Sequence, residues 1–307
     1  MSSAQAFSAE LIAVLVAVTE GAPRILTLQD GRALPSGPFE PGHRSLQSGL
    51  RAWVETQTHH PLGYVEQLYT FADRDRGREG EARAISISYL GLTREARGTG
   101  HAAEWRGWYE YLPWEDQRAG PAEAIAAEVA PGLRGWAEAG SSAAACLDRW
   151  QRAAVTFGLD GRRWNEELVL QRYELLYEAG LIAEAGPGRE EAAAGAVGGQ
   201  AMHLDHRRIL ATGVARLRAK IKYRPVVFEL MPPEFTLLHL QRSVEGIAGR
   251  LLHKQNFRRL VEQQELVEET GAMAADTGGR PAKLFRFRRE VLAERAVAGT
   301  KLALSRG

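Results

Sequence analysis

The chain has a single cysteine, Cys146, among its 307 residues, so no disulfide can form within it. This excludes the small secreted folds that disulfides hold together. Long hydrophobic runs are also missing, because the longest, Leu11 to Val18, has the length of a strand rather than of a membrane-spanning helix. No Lys or Arg precedes that run and no small-residue cleavage site follows it. We therefore expect no signal peptide and a cytoplasmic protein.

The overall composition is that of a folded protein, with 45% hydrophobic and 25% charged residues, and the length suggests about two domains. The charge is polarised along the chain. From Arg216 to Gly307 there are 18 basic and 10 acidic residues, a net charge of +8, while the rest, with 21 against 28, carries −7. A basic C-terminal segment suggests contact with a polyanion. The alternative is a basic face that only keeps the protein soluble.

The N-terminal half has a mixed α and β pattern. Four segments resemble strands: Leu11–Val18, Arg24–Leu28, Tyr64–Phe71 and Ala84–Leu92. Between the second and third, a Pro- and Gly-rich loop at 34–42 leads into a helix marked by Leu46, Leu50 and Val54.

Residues 121–183 are predicted to be helical, with stretches such as Ala137–Ala154 and Glu166–Tyr177. Ala183–Gly199 consists mostly of Ala, Gly and Glu, so it lacks the apolar groups needed for packing and is predicted to be a mobile loop. A helix then runs from an N-cap at Asp205 to Tyr223. Its apolar stripe is Leu210, Val214, Leu217 and Ile221.

The basic segment has the pattern of a helix-turn-helix. Thr236 marks the start of a first helix, and Gly246 and Gly249 mark its end. In the second helix, His253–Gln263, the apolar positions Phe257, Leu260 and Val261 would face the protein and the polar ones the other side. A recognition helix carries Lys, Arg, Gln and Asn where they reach phosphates and base edges.

A wing follows the two helices. Leu266–Val267 and Lys283–Arg288 are predicted strands, joined by a tip in which Arg280 precedes a proline and could contact phosphates or a minor groove. Since winged helices also bind proteins, a scaffold role is the rival interpretation. The candidate DNA-contacting residues are Lys254, Gln255, Asn256, Arg258, Arg259, Arg280 and Lys283.

The loop and helix at 37–58 resemble the Nudix box, whose pattern is G-x5-E-x7-R-E-U-x-E-E-x-G-U, with U a bulky aliphatic residue. Gly37, Arg51 and Glu55 match the pattern. At three of its Glu positions stand His43, Ala52 and Thr56, and Thr58 replaces its second Gly. Because Mg²⁺ needs several carboxylate oxygens to activate water on a diphosphate, we expect no hydrolysis, no catalytic residue and no metal site. An active pyrophosphohydrolase acting on a nucleoside diphosphate derivative is the alternative.

Other single residues invite a functional interpretation as well. Glu55 is either a remaining metal ligand or a solvated helix residue that can pair with Arg51. His43, His59 and His60 lack metal-ligand spacing and are expected to be exposed loop residues. The aromatic cluster Trp105, Trp108, Tyr109, Tyr111 and Trp114 could stack a base, but core or dimer interface is the expected role.

A longer series of short segments, in the same order, resembles the Nudix-related transcriptional regulators of NAD metabolism. The segments are Leu68–Arg76, Ile85–Leu90, Leu204–His206, Lys222–Pro225, Phe235–Leu237, Leu240–Gln241, Asn256–Arg259 and Gly279–Ala282. Members of that family join a non-hydrolysing Nudix domain to a C-terminal winged helix and act as homodimeric repressors on palindromic operators. The long segment at 121–200 is more similar to the quinolinate-pathway branch of the family than to its typical members.

The resemblance implies an α+β protein, with a Nudix-like α/β/α sandwich domain at 1–223 and a winged helix-turn-helix domain at 224–307. It also implies an effector, NAD, ADP-ribose or ATP, and no cofactor. Arginines suit phosphates and aromatic rings suit adenine. The candidate effector-binding residues are Arg32, Phe39, Arg51, Glu55, Tyr69, Arg74 and Arg76. The helix at 205–223 is the expected link between the two modules.

Overall fold

The structure is a computed structural model that describes residues 8–58, 62–72, 84–95, 103–186, 197–274, 281–288 and 290. Its central sheet has the strand order β4-β5-β1-β2-β6, with short β3 paired to β1. The strands are β1 (Ser8–Thr19), β2 (Ala22–Leu28), β3 (Ser36–Pro38), β4 (Tyr64–Phe71), β5 (Ala84–Leu92) and β6 (Ala103–Gly107). β1 runs parallel to β5, and the other pairs are antiparallel. The four strands predicted from the sequence are confirmed, with β1 and β2 slightly longer.

The sheet is covered on both faces, as expected for the sandwich. Leu11, Ala13 and Leu15 of β1 pack against helix α1 (Leu46–Thr58), while Ile12 and Val14 lie in the larger core with α5 (His206–Ile221). A central strand buried on both faces has a continuous apolar sequence, which is the run seen in the sequence.

The middle of the chain forms a helical subdomain. It contains a short π-helix (Ile125–Val129), α2 (Ala130–Glu138), α3 (Ala143–Phe157) and α4 (Val169–Glu178). Two predicted stretches need correction. Ala137–Ala154 is interrupted because Ser142 caps a new helix, its Oγ accepting the Ala145 N–H at 3.2 Å. The second stretch starts at Val169 rather than at Glu166.

The expected mobile loop at Ala183–Gly199 is also partly wrong. Ala183–Ala185 forms a 3₁₀ turn in which Glu184 is buried, and Val197 lies in the core. Arg207 of α5 holds both ends of this segment, because its Nη1 donates to the Glu184 carboxylate at 3.1 Å and its Nη2 donates to the Gly198 carbonyl at 3.2 Å. Residues 187–196 lie outside the described residues.

The C-terminal module contains a 3₁₀ turn (Val226–Leu230), α6 (Leu237–Ala248), α7 (Lys254–Gln263), β7 (Val267–Ala274) and β8 (Ala282–Phe287). Two helices followed by an antiparallel two-stranded sheet are a winged helix-turn-helix, as predicted. The predicted linking helix ends at Ile221, two residues before the expected Tyr223. Across the described residues, the helices are all too short or too polar to cross a bilayer.

Candidate functional site

The helix-turn-helix is fixed by caps that the sequence predicted. Thr236 Oγ1 accepts the His239 N–H at 3.1 Å at the start of α6, and Gly249 ends the helix in the left-handed conformation at φ 69°. Gly246, expected to mark the end, lies inside α6 instead. It is needed there for close contact, because a Cβ at this position would lie 2.1 Å from the Gly21 carbonyl oxygen.

The outer face of α7 presents a polar surface. Lys254, Gln255, Asn256, Arg258 and Arg259 are all exposed. Within the described part of the chain, none of the three basic side chains forms an ion pair. Their charges are therefore available to an anionic partner. We call these five side chains the α7 surface.

The inner face of α7 packs less completely than its apolar pattern predicts. Val261 is buried and Phe257 half-buried, but Leu260 is 52% exposed. Leu260 lines the same apolar cleft as Phe257 and Val261, so the three residues share one face of α7 as predicted, but the protein covers that face only partly.

The wing is attached to the start of α6. Phe235 and Phe285 exchange backbone hydrogen bonds at 2.9 and 2.8 Å, and Phe287 stacks on Phe228 with ring centroids 4.2 Å apart. Lys283, a candidate DNA contact, is instead paired across the wing with the Glu269 carboxylate at 2.8 and 2.9 Å. The other wing candidate, Arg280, lies outside the described residues.

In the degenerate Nudix box, aromatic side chains pack between loop and helix. Trp53 of α1 lies over Gly37, where a Cβ would be 2.3 Å from its ring, and its Nε1 donates to the Pro38 carbonyl at 2.8 Å. His43 lies between the rings of Phe39 and Trp53, at centroid distances of 5.8 and 6.5 Å. Its Nδ1 accepts the Glu40 N–H at 3.0 Å, so this loop histidine is tied to its own loop.

The remaining carboxylate of the box, Glu55, has no side-chain partner among the residues that the structure describes. Glu55 is exposed, and Arg51 donates to the carbonyl oxygens of Leu62 and Gly63 rather than to Glu55. Of the two interpretations of Glu55, the solvated one describes its position. Over the described ranges, no three His, Cys, Asp or Glu side chains converge as a metal site. His59 and His60 lie outside those ranges.

The candidate effector residues lie on different sides of the sheet. Phe39, Arg51 and Glu55 belong to the α1 side. Tyr69, 60% exposed, belongs to the α5 side, where it lines a cleft of about 450 Å³ with Arg208 and Arg216. The structure therefore does not bring the candidates together at one point.

Three other candidates complete the comparison. Arg32 is exposed in the turn after β2. Arg74 and Arg76 lie outside the described residues. Phe71, beside Tyr69 at a centroid distance of 5.1 Å, is buried, so of this strand pair one ring is in the core and one is exposed.

The aromatic cluster belongs to the core. Trp108, Tyr111 and Trp114 are fully buried, and Trp105 is nearly so. The Tyr111 hydroxyl donates to the Gly31 carbonyl at 2.7 Å. No open aromatic face remains on these four rings to stack a base.

Several buried polar residues were missed by the sequence analysis. Glu115, Arg172 and Arg218 form a buried ion cluster, and Arg207 pairs with Glu184. The one available signal was Arg218, four residues after Val214 beside the apolar stripe of α5. His206, at the start of α5, accepts the Leu34 N–H through Nδ1 at 2.8 Å, and burial, with a smaller effect of His203, lowers the pKa of its imidazole to about 4.

The C-terminal module has a direct match among known protein families. Residues 227–287 match the model of the NrtR DNA-binding winged helix domain. The C-terminal module is therefore similar to the NrtR winged helix. The ADPR responsive transcriptional repressor NtrR of Acinetobacter baylyi is 43% identical over 84 residues, which are 27% of this chain. Those residues are 33% of the relative, so the match spans about a third of its length.

Solved structures resemble nearly the whole chain. Shewanella oneidensis NrtR complexed with a 27mer DNA has a TM-score of 0.56 at 17% identity, over 92% of this chain and 95% of that one. A MutT/nudix family protein from Enterococcus faecalis has a TM-score of 0.53 at 14% identity, over 94% and 89%. At such identities the likeness shows the fold, an NrtR-like arrangement of a Nudix domain and a winged helix, as the sequence predicted.

Proposed function

We propose that this chain is an NrtR-like transcriptional repressor whose winged helix binds operator DNA under the control of an adenine nucleotide in the Nudix-like domain. The observation that carries the proposal is the α7 surface, five exposed polar side chains on a module that matches the NrtR DNA-binding domain. ADP-ribose is the favoured effector, because the Acinetobacter relative is named as ADPR responsive. Genes of NAD biosynthesis are the proposed targets, and 1–223 and 224–307 the proposed domains.

The side chains of the α7 surface would make two kinds of DNA contact, with phosphates and with base edges. Lys254 and Arg259 would contact phosphates, while Gln255, Asn256 and Arg258 would read base edges in the major groove. Arg280 and Lys283 of the wing would add phosphate contacts, and Lys283 would have to exchange its Glu269 partner for DNA.

A homodimer follows from the proposed recognition mode. Two recognition helices related by a twofold axis would bind half-sites about one DNA turn apart, or a multiple of that, and this requires a palindromic operator. An effector changes the affinity for DNA only if it favours one dimer geometry over another, and such coupling is typically about 1–3 kcal/mol.

We propose that the effector binds in the cleft beside Tyr69 rather than at the degenerate box. The exposed ring of Tyr69 suits a base, and the guanidinium groups of Arg208 and Arg216 beside it suit phosphates. To bind phosphates, Arg208 would have to exchange the Glu174 carboxylate and Arg216 the Glu66 carboxylate. Tyr69→Ala should then abolish the response to ADP-ribose, and Phe39→Ala on the opposite face should keep it. The reverse result would move the site to the box.

We propose further that the Nudix-like domain does not hydrolyse its ligand. With Glu55 alone left of the box carboxylates, Mg²⁺ lacks the oxygen ligands that the reaction needs. Conversion of ADP-ribose to AMP and ribose 5-phosphate in the presence of Mg²⁺ should stay at the level of a no-protein control. Turnover that Glu55→Gln abolishes would replace this proposal by the pyrophosphohydrolase.

Charge reversal on α7 tests the DNA-binding role. Arg258→Glu with Arg259→Glu should remove specific binding and make the salt dependence of the remaining non-specific binding shallower, since loss of the Arg259 phosphate contact lowers the slope by about one. Arg152→Glu, at an exposed position of α3, is the matched control and should change neither. Equal binding by the two variants would leave the winged helix without a DNA role.

A further inference from the structure

A carboxylate and two guanidinium groups lie together in the interior, and we call them the buried clamp: Glu115, Arg172 and Arg218. Their side chains are at most 1% exposed. Glu115 Oε1 accepts from Arg172 Nε at 2.5 Å, and Oε2 accepts from Arg172 Nη2 at 2.9 Å and Arg218 Nη1 at 2.5 Å. Buried charges are tolerated only where the geometry satisfies their hydrogen bonds, so this arrangement fixes the elements that carry it.

Arg218 of α5 uses every N–H of its guanidinium, one of them to bind α6. Nε donates to the Ile247 carbonyl of α6 at 2.8 Å, and Nη1 donates to the Glu166 carbonyl at 3.1 Å in addition to the Glu115 carboxylate. Nη2 donates to the Tyr109 hydroxyl at 3.2 Å and the Glu115 carbonyl at 3.1 Å. All five N–H groups of the guanidinium are used, so a shift of α6 would leave a buried donor without an acceptor.

The end of α6 also lies directly against the backbone of the sensor. At Gly249 a Cβ would be 2.3 Å from the Glu115 carbonyl oxygen, and Gly246 approaches Gly21 equally closely. The Tyr109 hydroxyl donates to the Gly246 carbonyl at 2.7 Å. Because contacts between backbones cannot relax by a change of rotamer, they fix the position of α6 against the sensor.

The position of α6 is passed on to the recognition helix through the turn. Glu245 Oε1 of α6 accepts the Leu252 N–H at 2.9 Å and Gln241 Nε2 at 2.9 Å, and Gln241 Nε2 also reaches the Leu252 carbonyl at 3.2 Å. Leu252 lies two residues before α7. The direction in which α7 leaves the turn is therefore set by α6.

The helical subdomain of α2, α3 and α4, which we call the insertion, contributes Arg172 to the buried clamp. Arg172 belongs to α4, and its Nη1 also donates to the carbonyl oxygens of Thr156 in α3 and Asn165 before α4, at 3.1 and 3.0 Å. The side chain stacks on Trp164, with its central carbon 3.8 Å from the ring centroid. The Arg172 guanidinium thus connects α3 and α4 of the insertion to the Glu115 carboxylate.

We propose that the insertion is a brace: through Arg172 it locks α6, and with it α7, to the effector-sensing sheet, so that sensor and reader move as one body. The proposal rests on the proposed function for its consequence, the coupling of effector to DNA. Arg172, Glu115 and Tyr109 are then positioning residues, buried away from the α7 surface, that set DNA affinity without touching DNA.

The experiment compares hydrogen exchange and operator binding in the full chain for Arg172→Met, Tyr109→Phe and the control Arg152→Met. Arg152 is on the same insertion in an exposed ion pair with Glu178. For the first two variants we expect exchange at residues 243–252 to rise by tenfold or more, while β1 amides, the internal reference for global unfolding, keep their rates. Tyr109→Phe removes only a hydroxyl and tests the contact with α6 directly. If Arg172→Met fails to fold, Arg172→Lys, which keeps a cation beside Glu115 but cannot make all of the guanidinium's hydrogen bonds, tests the role of the insertion.

Operator binding supplies the functional readout. Affinity should fall about tenfold with an unchanged salt slope, because no phosphate contact is lost, and the effect of ADP-ribose on affinity should shrink. Unchanged exchange at 243–252 would overturn the brace, as would unchanged affinity and effector response. If the unmodified chain binds no operator, the proposed function fails, and the exchange data alone still decide whether the clamp holds α6.

Discussion

Replacing the clamp carboxylate should destabilise the protein more than removing one of its arginines. Glu115→Gln leaves Arg172 and Arg218 as two buried cations with no anion between them, and three hydrogen bonds lose their charged acceptor. Removing one partner of a buried ion pair typically costs about 3–5 kcal/mol. Arg172→Met instead leaves Glu115 paired with Arg218 and removes the excess cation. Glu115 Oε1 and the Thr156 carbonyl oxygen lose a donor, while the Asn165 carbonyl keeps the Leu168 N–H, so the expected cost is about 2–4 kcal/mol, less than that of Glu115→Gln, which leaves two cations without their anion.

Urea unfolding followed by tryptophan fluorescence measures this order, since the core contains buried tryptophans such as Trp108 and Trp114. Arg152→Met, in an exposed pair, should change the free energy of unfolding by about 0–1 kcal/mol. If Glu115→Gln proves as stable as Arg172→Met, the carboxylate does not hold the two cations together and the reasoning is refuted.

Two further predictions concern α5 and α6. His206 is buried, and its pKa is lowered to about 4 in the folded protein, against about 6.5 in the unfolded chain. As pH drops through this window the unfolded chain binds the proton first, so the free energy of unfolding falls, by about 2 kcal/mol at pH 5. In His206→Asn the urea midpoint should change less between pH 7 and pH 5 than in the unmodified protein. An equal change in both proteins would contradict the assignment of this pH dependence to His206. Gly246→Ala places a Cβ 2.1 Å from the Gly21 carbonyl oxygen, so α6 must shift. Operator affinity should then fall by more than in Ala248→Gly, and equal losses would show that the close contact is unimportant.

The parts of the fold that depend on local chemistry could be predicted from the sequence. Thr236 and Gly249 delimit α6 because capping and the left-handed conformation are properties of single residues. The run Leu11–Val18 predicted a strand, and the structure shows that its apolar residues do not alternate because the strand is buried on both faces. The α7 surface followed from polar residues at helical spacing.

The missed features depend on contacts between distant residues. Glu115 is 57 residues from Arg172 and 103 from Arg218, and nothing local marks them as partners. Gly246 resembled a helix end because the need for a missing Cβ came from Gly21 in another element. Likewise, the effector candidates shared suitable chemistry, but only the sheet shows that Phe39 and Tyr69 lie on opposite faces.

The central claim is that one chain joins a reader of DNA to a sensor of an adenine nucleotide. Its most direct test titrates the full chain onto a labelled duplex from its own upstream region, with excess random DNA present, alone and with ADP-ribose, NAD or ATP. We expect specific binding, and we expect ADP-ribose to change the affinity for the operator by roughly 5- to 150-fold, the range of typical allosteric coupling. Specific binding that no nucleotide changes would contradict the sensor, and the absence of specific binding would contradict the repressor itself.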